Sequence, residues 1–280
     1  VVRRLFFVLA AASAGCSLVV GLDGLAGQGA QVDAGPDSAA SDADVLETET
    51  GPIHTDAGQA LEAGADGGFC DTLGRMPDLC LDYDRGAALN TLGNVVEYGG
   101  GSVSLSGLGA VSPPMAMLTT TPALASGKGA GCQLRISMGM TPATVTLRFT
   151  ATLTEKPASE ATFSSITLDG KRGLSLILGP AGAHLQETVP IDGGTTGVNH
   201  PATGTVNWGQ PITFVMSVGL KDTALVGSLS LDGVSVESNA PLDPRLTLGT
   251  PSVDLGWGYV GGVSAPRTAV IDNVVVDLGH

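Results

Sequence analysis

The sequence predicts an all-β fold, a two-sheet antiparallel β-sandwich that follows a disordered N-terminal region. Three observations carry this. The stretch "ATVTLRFTATLT" alternates Val145, Leu147, Phe149, Ala151 and Leu153 with Thr144, Thr146, Arg148, Thr150 and Thr152, and "QPITFVMSVGL" repeats the pattern with Ile212, Phe214, Met216, Val218 and Leu220. A period of two marks a strand with one buried and one wet face. Asp169-Gly170 and Asp232-Gly233 each separate two β-rich runs, and Asp-Gly favours the positive φ angles of a tight hairpin. Finally, Gly, Pro and Asn/Asp punctuate the chain about every ten residues, and no long stretch has the 3.6-residue period of a helix.

Taken in order, the chain divides into three segments. In "VVRRLFFVLAAASAGC", residues 1–16, Arg3 and Arg4 form a positive start, Leu5 to Ala12 an apolar run, and Ser13-Ala14-Gly15 a small-residue stretch. That is signal-peptide architecture. The small residues ending in Gly15-Cys16 resemble a bacterial lipobox, departing from it at Ser13, where that family has Leu, Val or Ile. The resemblance implies that Cys16 is the lipidated mature N-terminus. Ser17 beside it, in place of an acidic residue, implies sorting to the outer membrane of a Gram-negative cell envelope. An uncleaved anchor and a conventionally cleaved secretory signal are the alternatives.

Residues 17–68 form the second segment, rich in Ala, Gly, Asp, Ser and Thr and free of aromatic residues. Ten acidic residues and no Lys or Arg fall between Arg4 and Gly68, in a chain whose net charge is −14. Such a composition buries too little apolar surface to offset its ordering entropy, and its carboxylates repel one another. The segment therefore reads as an extended tether. An acidic chain without a basic stripe also argues against nucleic-acid binding.

The third segment, residues 69–280, holds about a dozen or more short strands, within the size of a single all-β domain. Its thinly aromatic core fits a jelly roll better than one immunoglobulin domain, which needs only about 100 residues; two immunoglobulin-like domains are the alternative. The ends "FCDTLGRMPDLCLDYD" and "VGGVSAPRTAVIDNVVVDL", with "WGQPITF" at Trp208 and "LDGVSV" at Leu231 between them, resemble concanavalin-A-like, laminin-G-like jelly rolls. Such domains occur on bacterial, myxobacterial-type lipoproteins behind acidic tethers. The resemblance implies that the first and last strands lie side by side. It also implies a structural calcium near them, held by Asp272, to which Asp82 and Asp84 on the facing strand would add the hard oxygen ligands this ion takes; the alternative is that Asp272 and Asn273 only make turn or strand-edge hydrogen bonds.

That fold hosts glycan-cleaving enzymes, lectins and protein-binding modules alike, so function has to be argued from residues. Retaining glucanases of the fold place acids as E-x-D-x-x-E, with the two catalytic carboxyls about 5–5.5 Å apart. None of Glu97, Glu155, Glu160, Glu187 and Glu237 has that spacing, and no G-x-S-x-G, H-E-x-x-H or P-loop occurs. His184 and His200 are isolated and expected at the surface. Glycan recognition stacks aromatic rings on sugar faces. Trp257 and Tyr259, two apart in "DLGWGYVGG", would share one face of a strand, as a small platform or as core. Three cysteines remain beside Cys16. Cys70–Cys80 would close a short loop around Met76-Pro77, Cys80–Cys132 is the alternative pairing, and one thiol is left over. The residues thus point to a non-catalytic envelope lipoprotein that binds a polysaccharide or an envelope protein, or serves a structural role. A glycan-active enzyme with an unrecognised site is the alternative.

Overall fold

The computed structural model describes residues 68–279 except Arg85, Lys171 and Gly193; Cys16 and the tether lie outside the described residues. A 3-10 turn (Phe69–Thr72) and a helical turn (Leu89–Leu92) are the only helical elements described; the rest is strand and loop. The first strands are β1 (Leu79–Leu81), β2 (Asn94–Tyr98), β3 (Ser102–Ser106), β4 (Ala116–Thr121) and β5 (Gly129–Ser137). The next are β6 (Thr144–Leu153), β7 (Ala161–Thr167), β8 (Gly173–Gly179), β9 (Gly182–Ile191) and β10 (Gly194–Asn199). The last are β11 (Pro211–Lys221), β12 (Ala224–Leu231), β13 (Val234–Pro241), β14 (Ser252–Gly261) and β15 (Arg267–Gly279).

The strands form two antiparallel sheets. The first runs β13-β12-β11-β6-β15-β4-β3, with β1 added beside β15; the second runs β10-β9-β8-β7-β14-β5-β2. Each sheet draws strands from both ends of the segment, so this is one sandwich rather than two immunoglobulin-like domains. β15 organises the first sheet. One edge pairs with β6, while the other pairs first with β4 and then, beyond a bulge, with β1 through Leu79–Val276. The terminal strands are therefore neighbours, as the resemblance implies.

The alternation in β6 and β11 buries Val145, Leu147, Phe149, Ile212, Phe214 and Met216 completely or nearly so. Opposite them the second sheet contributes Phe163 and Trp257. The four rings form one cluster: Phe149–Phe214 centroids are 5.4 Å apart, Phe149–Phe163 6.0 Å and Phe163–Trp257 4.8 Å. Each such side chain contributes about 1.5–3 kcal/mol by leaving water, so this cluster ties the two sheets together. Asp232-Gly233 turns β12 into β13 with both residues at positive φ, 48° and 79°. At Asp169-Gly170 only Gly170 has positive φ; the turn is wider, closed by Leu168 N–H to Arg172 O, with the Asp169 carboxylate accepting from Arg172 N–H.

Cys70 and Cys80 form a disulfide that closes the loop leading into β1, and Cys132 is a buried free thiol. Burial pushes the Cys132 thiol up to about 11, so it stays protonated and inert. The histidines differ from expectation. His184 is 7% exposed, and the His200 side chain lies buried with Nε2 2.9 Å from the buried Glu187 carboxylate. Glu187 also accepts from Asp243 N–H at 2.7 Å. His200 meets Glu187 because the β9–β10 hairpin folds the chain back on itself, a pairing that the spacing of the two residues alone does not reveal.

Candidate functional site

The outer face of the second sheet is built from single polar residues brought into line by strand register. On β5, Ala130, Cys132, Leu134 and Ile136 point into the core, so alternation turns Gly129, Gly131, Gln133, Arg135 and Ser137 outward. Following the pairing from Arg135 gives one row across all seven strands. It reads Asn94 (β2), Arg135 (β5), Asp254 (β14), Ser165 (β7), Ser175 (β8), Gln186 (β9) and Asn199 (β10). Every member can donate or accept a hydrogen bond. The adjoining row is Ser137, Ser252, Thr167, Gly173, Thr188 and Gly197, again without an apolar side chain.

The polar row has a fixed centre. Asp254, almost wholly buried, accepts from Arg135 Nε at 2.6 Å and Nη2 at 3.2 Å, and from the hydroxyls of Ser165 at 3.0 Å and Thr167 at 3.4 Å. This bidentate pair raises the Arg135 pKa above its ordinary value, chiefly through the hydrogen bond to Asp254. The Arg135 side chain is still 43% exposed, so its outer N–H groups remain free to meet a ligand while its charge is balanced.

Two tyrosine rings lie on a glycine floor on the same face, two rows further along the strands. A Cβ placed on Gly131 would sit 2.5 Å from Tyr98 Cε1, and one on Gly261 would sit 2.7 Å from the Tyr259 ring and hydroxyl. The rings thus rest directly on backbone that only glycine leaves open. Tyr98 donates its hydroxyl to Gly258 O at 2.7 Å, bridging from β2 across β5 to β14. Tyr98 is 40% and Tyr259 51% exposed. Burial, and then the neighbouring Tyr259, push the Tyr98 phenol up to about 12, so it is a neutral hydrogen-bonding group at physiological pH. Gln133 packs over Gly258 toward Thr162. Tyr259 then leads along its own row to Thr162, Ile177 and His184.

The structure separates Trp257 from Tyr259. Gly256 adopts φ +111°, and register shifts interrupt the pairing of β14 with both neighbours around residues 254–260. A bulge adds a residue to one strand and breaks the period of two, so Trp257 stays in the core at 1% exposure while Tyr259 turns outward. Sequence reasoning missed Tyr98, Gln133, Arg135 and Asp254. The signal available was slight: alternating Gly129 and Gly131 in an otherwise β-rich run.

The three aspartates expected around calcium gather at the other sheet, near the bulge of β15. Asp272 is fully buried and accepts from the N–H groups of Val111 at 2.9 Å, Ser112 at 2.8 Å and Asn273 at 2.8 Å. Burial raises its pKa above the usual carboxylate range, and the nearby Asp84 adds to this. Asp84 accepts from Met115 N–H at 3.2 Å, and a Cβ on Gly68 would meet both Asp82 at 2.5 Å and Asp84 at 3.5 Å. The donor set is one of hard oxygens, and the Asn273 Oδ1 amide oxygen is buried without a hydrogen-bond partner. Still, among the described residues no three His, Cys, Asp or Glu side chains converge closely enough to hold a metal ion. As placed, Asp272 latches the 107–115 loop through the backbone. A cleft of about 540 Å³ adjoins this cluster through Asp82, under the disulfide loop between Cys70, Arg75, Pro77 and Tyr83; it brings no reactive constellation together.

No protein-family model matches the chain, and no curated protein matches it. Among solved structures, the cellulose-induced protein Cip1 aligns with 72% of this chain and 99% of its own, at 16% identity and a TM-score of 0.52. Domain 4 of AbnA, a GH43 extracellular arabinanase from Geobacillus stearothermophilus solved with arabinotriose, aligns with 72% of this chain and 92% of its own, at 16% identity and a TM-score of 0.47. Alginate lyase Aly36B, solved with an alginate trisaccharide, covers 72% of this chain and 95% of its own, at 12% identity and a TM-score of 0.46. At such identities the likeness to Cip1 is one of fold. The class is a two-sheet jelly roll of the concanavalin-A-like kind.

Proposed function

We propose that the outer face of the second sheet binds a neutral glycan without cleaving it. The observation that carries this reading is the pair of half-exposed rings, Tyr98 and Tyr259, laid over glycine backbone on the same face as a seven-strand row of hydroxyl, amide and guanidinium groups. Aromatic faces stack on the C–H faces of sugars, and the polar row matches the sugar hydroxyls. The balanced Arg135–Asp254 pair and the acidic chain disfavour a densely anionic polymer. The carboxylate nearest the centre of this face, Asp254, is held by four hydrogen bonds, which suits positioning rather than proton transfer.

The test is binding to insoluble and soluble polysaccharides by pull-down and calorimetry, with Tyr259→Ala as the variant. Tyr259 is half exposed, so the fold should survive. Losing one stacking ring is expected to weaken binding by about 5–30-fold, equivalent to roughly 1–2 kcal/mol. Unchanged affinity in that variant would overturn the assignment of the face; shortening of the polysaccharide by the wild-type chain would favour the enzyme alternative.

With Cys16 read as the lipidated N-terminus, residues 17–68 as tether and the sandwich as binding head, the chain is a surface lipoprotein of the outer membrane. A polysaccharide is its partner, and an envelope protein is the other candidate for the same face. Two or more acyl chains give stable anchoring where one is marginal. The calcium reading is kept as a proposal on the hard-oxygen donor chemistry of Asp82, Asp84, Asp272 and the orphaned Asn273 Oδ1; such an ion would brace the terminal strands and take no part in binding.

A further inference from the structure

Nine buried side-chain polar atoms among the described residues lack a hydrogen-bond partner, and four of them belong to one end of the sandwich interior: Thr121 Oγ1, Trp257 Nε1, Ser264 Oγ and Arg267 Nη1. Arg267 and Thr121 are direct register partners between β15 and β4. They are 4% and 2% exposed and share the parity of the core residues Ala269 and Met117. The Arg267 guanidinium lies 5.5 Å from the centre of the Trp257 ring. Ser264 bridges to Leu124, continuing the same antiparallel ladder just beyond Thr121 and Arg267.

The charge at this point is uncompensated. Arg267 Nη2 donates to Ser159 O at 3.3 Å and to Ser159 Oγ at 3.5 Å, both neutral acceptors. None of the ion pairs among the described residues includes Arg267. Burial lowers its pKa, yet a guanidinium keeps its proton at neutral pH. Buried charges are paired or bound to counter-charge, because an isolated one is strongly unfavourable. The four orphan groups also share a polarity: the arginine and indole N–H groups can only donate, and both hydroxyls can donate. Water would satisfy the N–H groups and leave the charge unbalanced.

We propose that this end of the sandwich is a buried site for a small monovalent anion of the chloride type, held by Arg267 and Trp257 with the hydroxyls of Thr121 and Ser264. The ion would join three separate stretches: the end of β4, the β6–β7 connection through Ser159, and the β14–β15 connection. It would thereby brace the end of β14 that carries Tyr259. The site is independent of what the outer face binds.

Thermal unfolding of the full chain in sodium chloride against sodium gluconate, at matched ionic strength, tests this. Gluconate is too bulky for an enclosed position. Each tenfold rise in chloride above its dissociation constant should raise Tm by about 3–6 °C, and Arg267→Met should abolish the difference. Should that variant fail to fold, wild-type crystals grown in bromide supply a second readout, an anomalous peak within hydrogen-bonding reach of Arg267 Nη1 and Trp257 Nε1. Equal Tm values in both salts, an undiminished chloride effect in Arg267→Met, or bromide crystals with no peak there would overturn the proposal.

Discussion

Single residues in this domain take their roles from what the backbone offers them. Asp272 shows this most clearly. It sits where β15 bulges, Asn273 has φ +54°, and three N–H groups converge on one buried carboxylate. Asp272→Asn keeps the shape but turns an amide N–H toward groups that themselves donate. A hydrogen bond to a charged group contributes about 1.5–3 kcal/mol, and orphaned donors add to the loss. The variant should therefore unfold about 5–10 °C below wild type. Running both proteins with EDTA and with calcium separates two origins of that loss. If calcium raises the wild-type Tm and leaves the variant unmoved, the aspartate also holds an ion; if neither protein responds, the calcium reading fails and the backbone latch alone accounts for the residue.

Elements explain why some of this was legible in sequence and some was not. β6 and β11 are regular strands with one buried face, so their alternation of large apolar and Thr or Ser residues reads directly as structure. β14 is irregular: Gly256 at positive φ and the register shifts beside it spoil the period from which Trp257 and Tyr259 would share a face. Row members such as Ser165, Ser175 and Gln186 carry no signal alone, because the row exists only after seven strands have been placed side by side. Tyr98 belongs with Tyr259 through β5, whose glycines supply the floor. Gly131→Ala tests that element. Its Cβ would fall 2.5 Å from Tyr98 Cε1 and 2.7 Å from Gly258 O, so the ring has to lift. A stability loss of about 1–3 kcal/mol, as for other overpacked sites, should come with weaker glycan binding. Full affinity in a stably folded Gly131→Ala protein would show that the ring's seat on β5 is irrelevant to the face.

At the scale of the molecule, the two sheets face different surroundings. Phe69 packs against Arg148 on the outside of the first sheet, with the guanidinium 5.8 Å from its ring, and Arg75 pairs with Asp277 of β15. Residues 69–81 therefore pack along the first sheet, beside β6 and β15. The proposed lipid anchor at Cys16 is tested by expression in a Gram-negative host: detergent-phase partitioning should be lost in Cys16→Ser, and partitioning that survives this change would rule against lipidation.

The binding face is the central claim, and polysaccharide affinity measured on wild type, Tyr98→Ala, Tyr259→Ala and the double variant tests it most directly. Wild type is expected to bind a neutral polysaccharide. Each single variant should lose about 5–30-fold and the double variant should fall to background, with circular dichroism unchanged for Tyr259→Ala. Wild-type binding that persists undiminished in the folded double variant would place the ligand elsewhere and contradict the account.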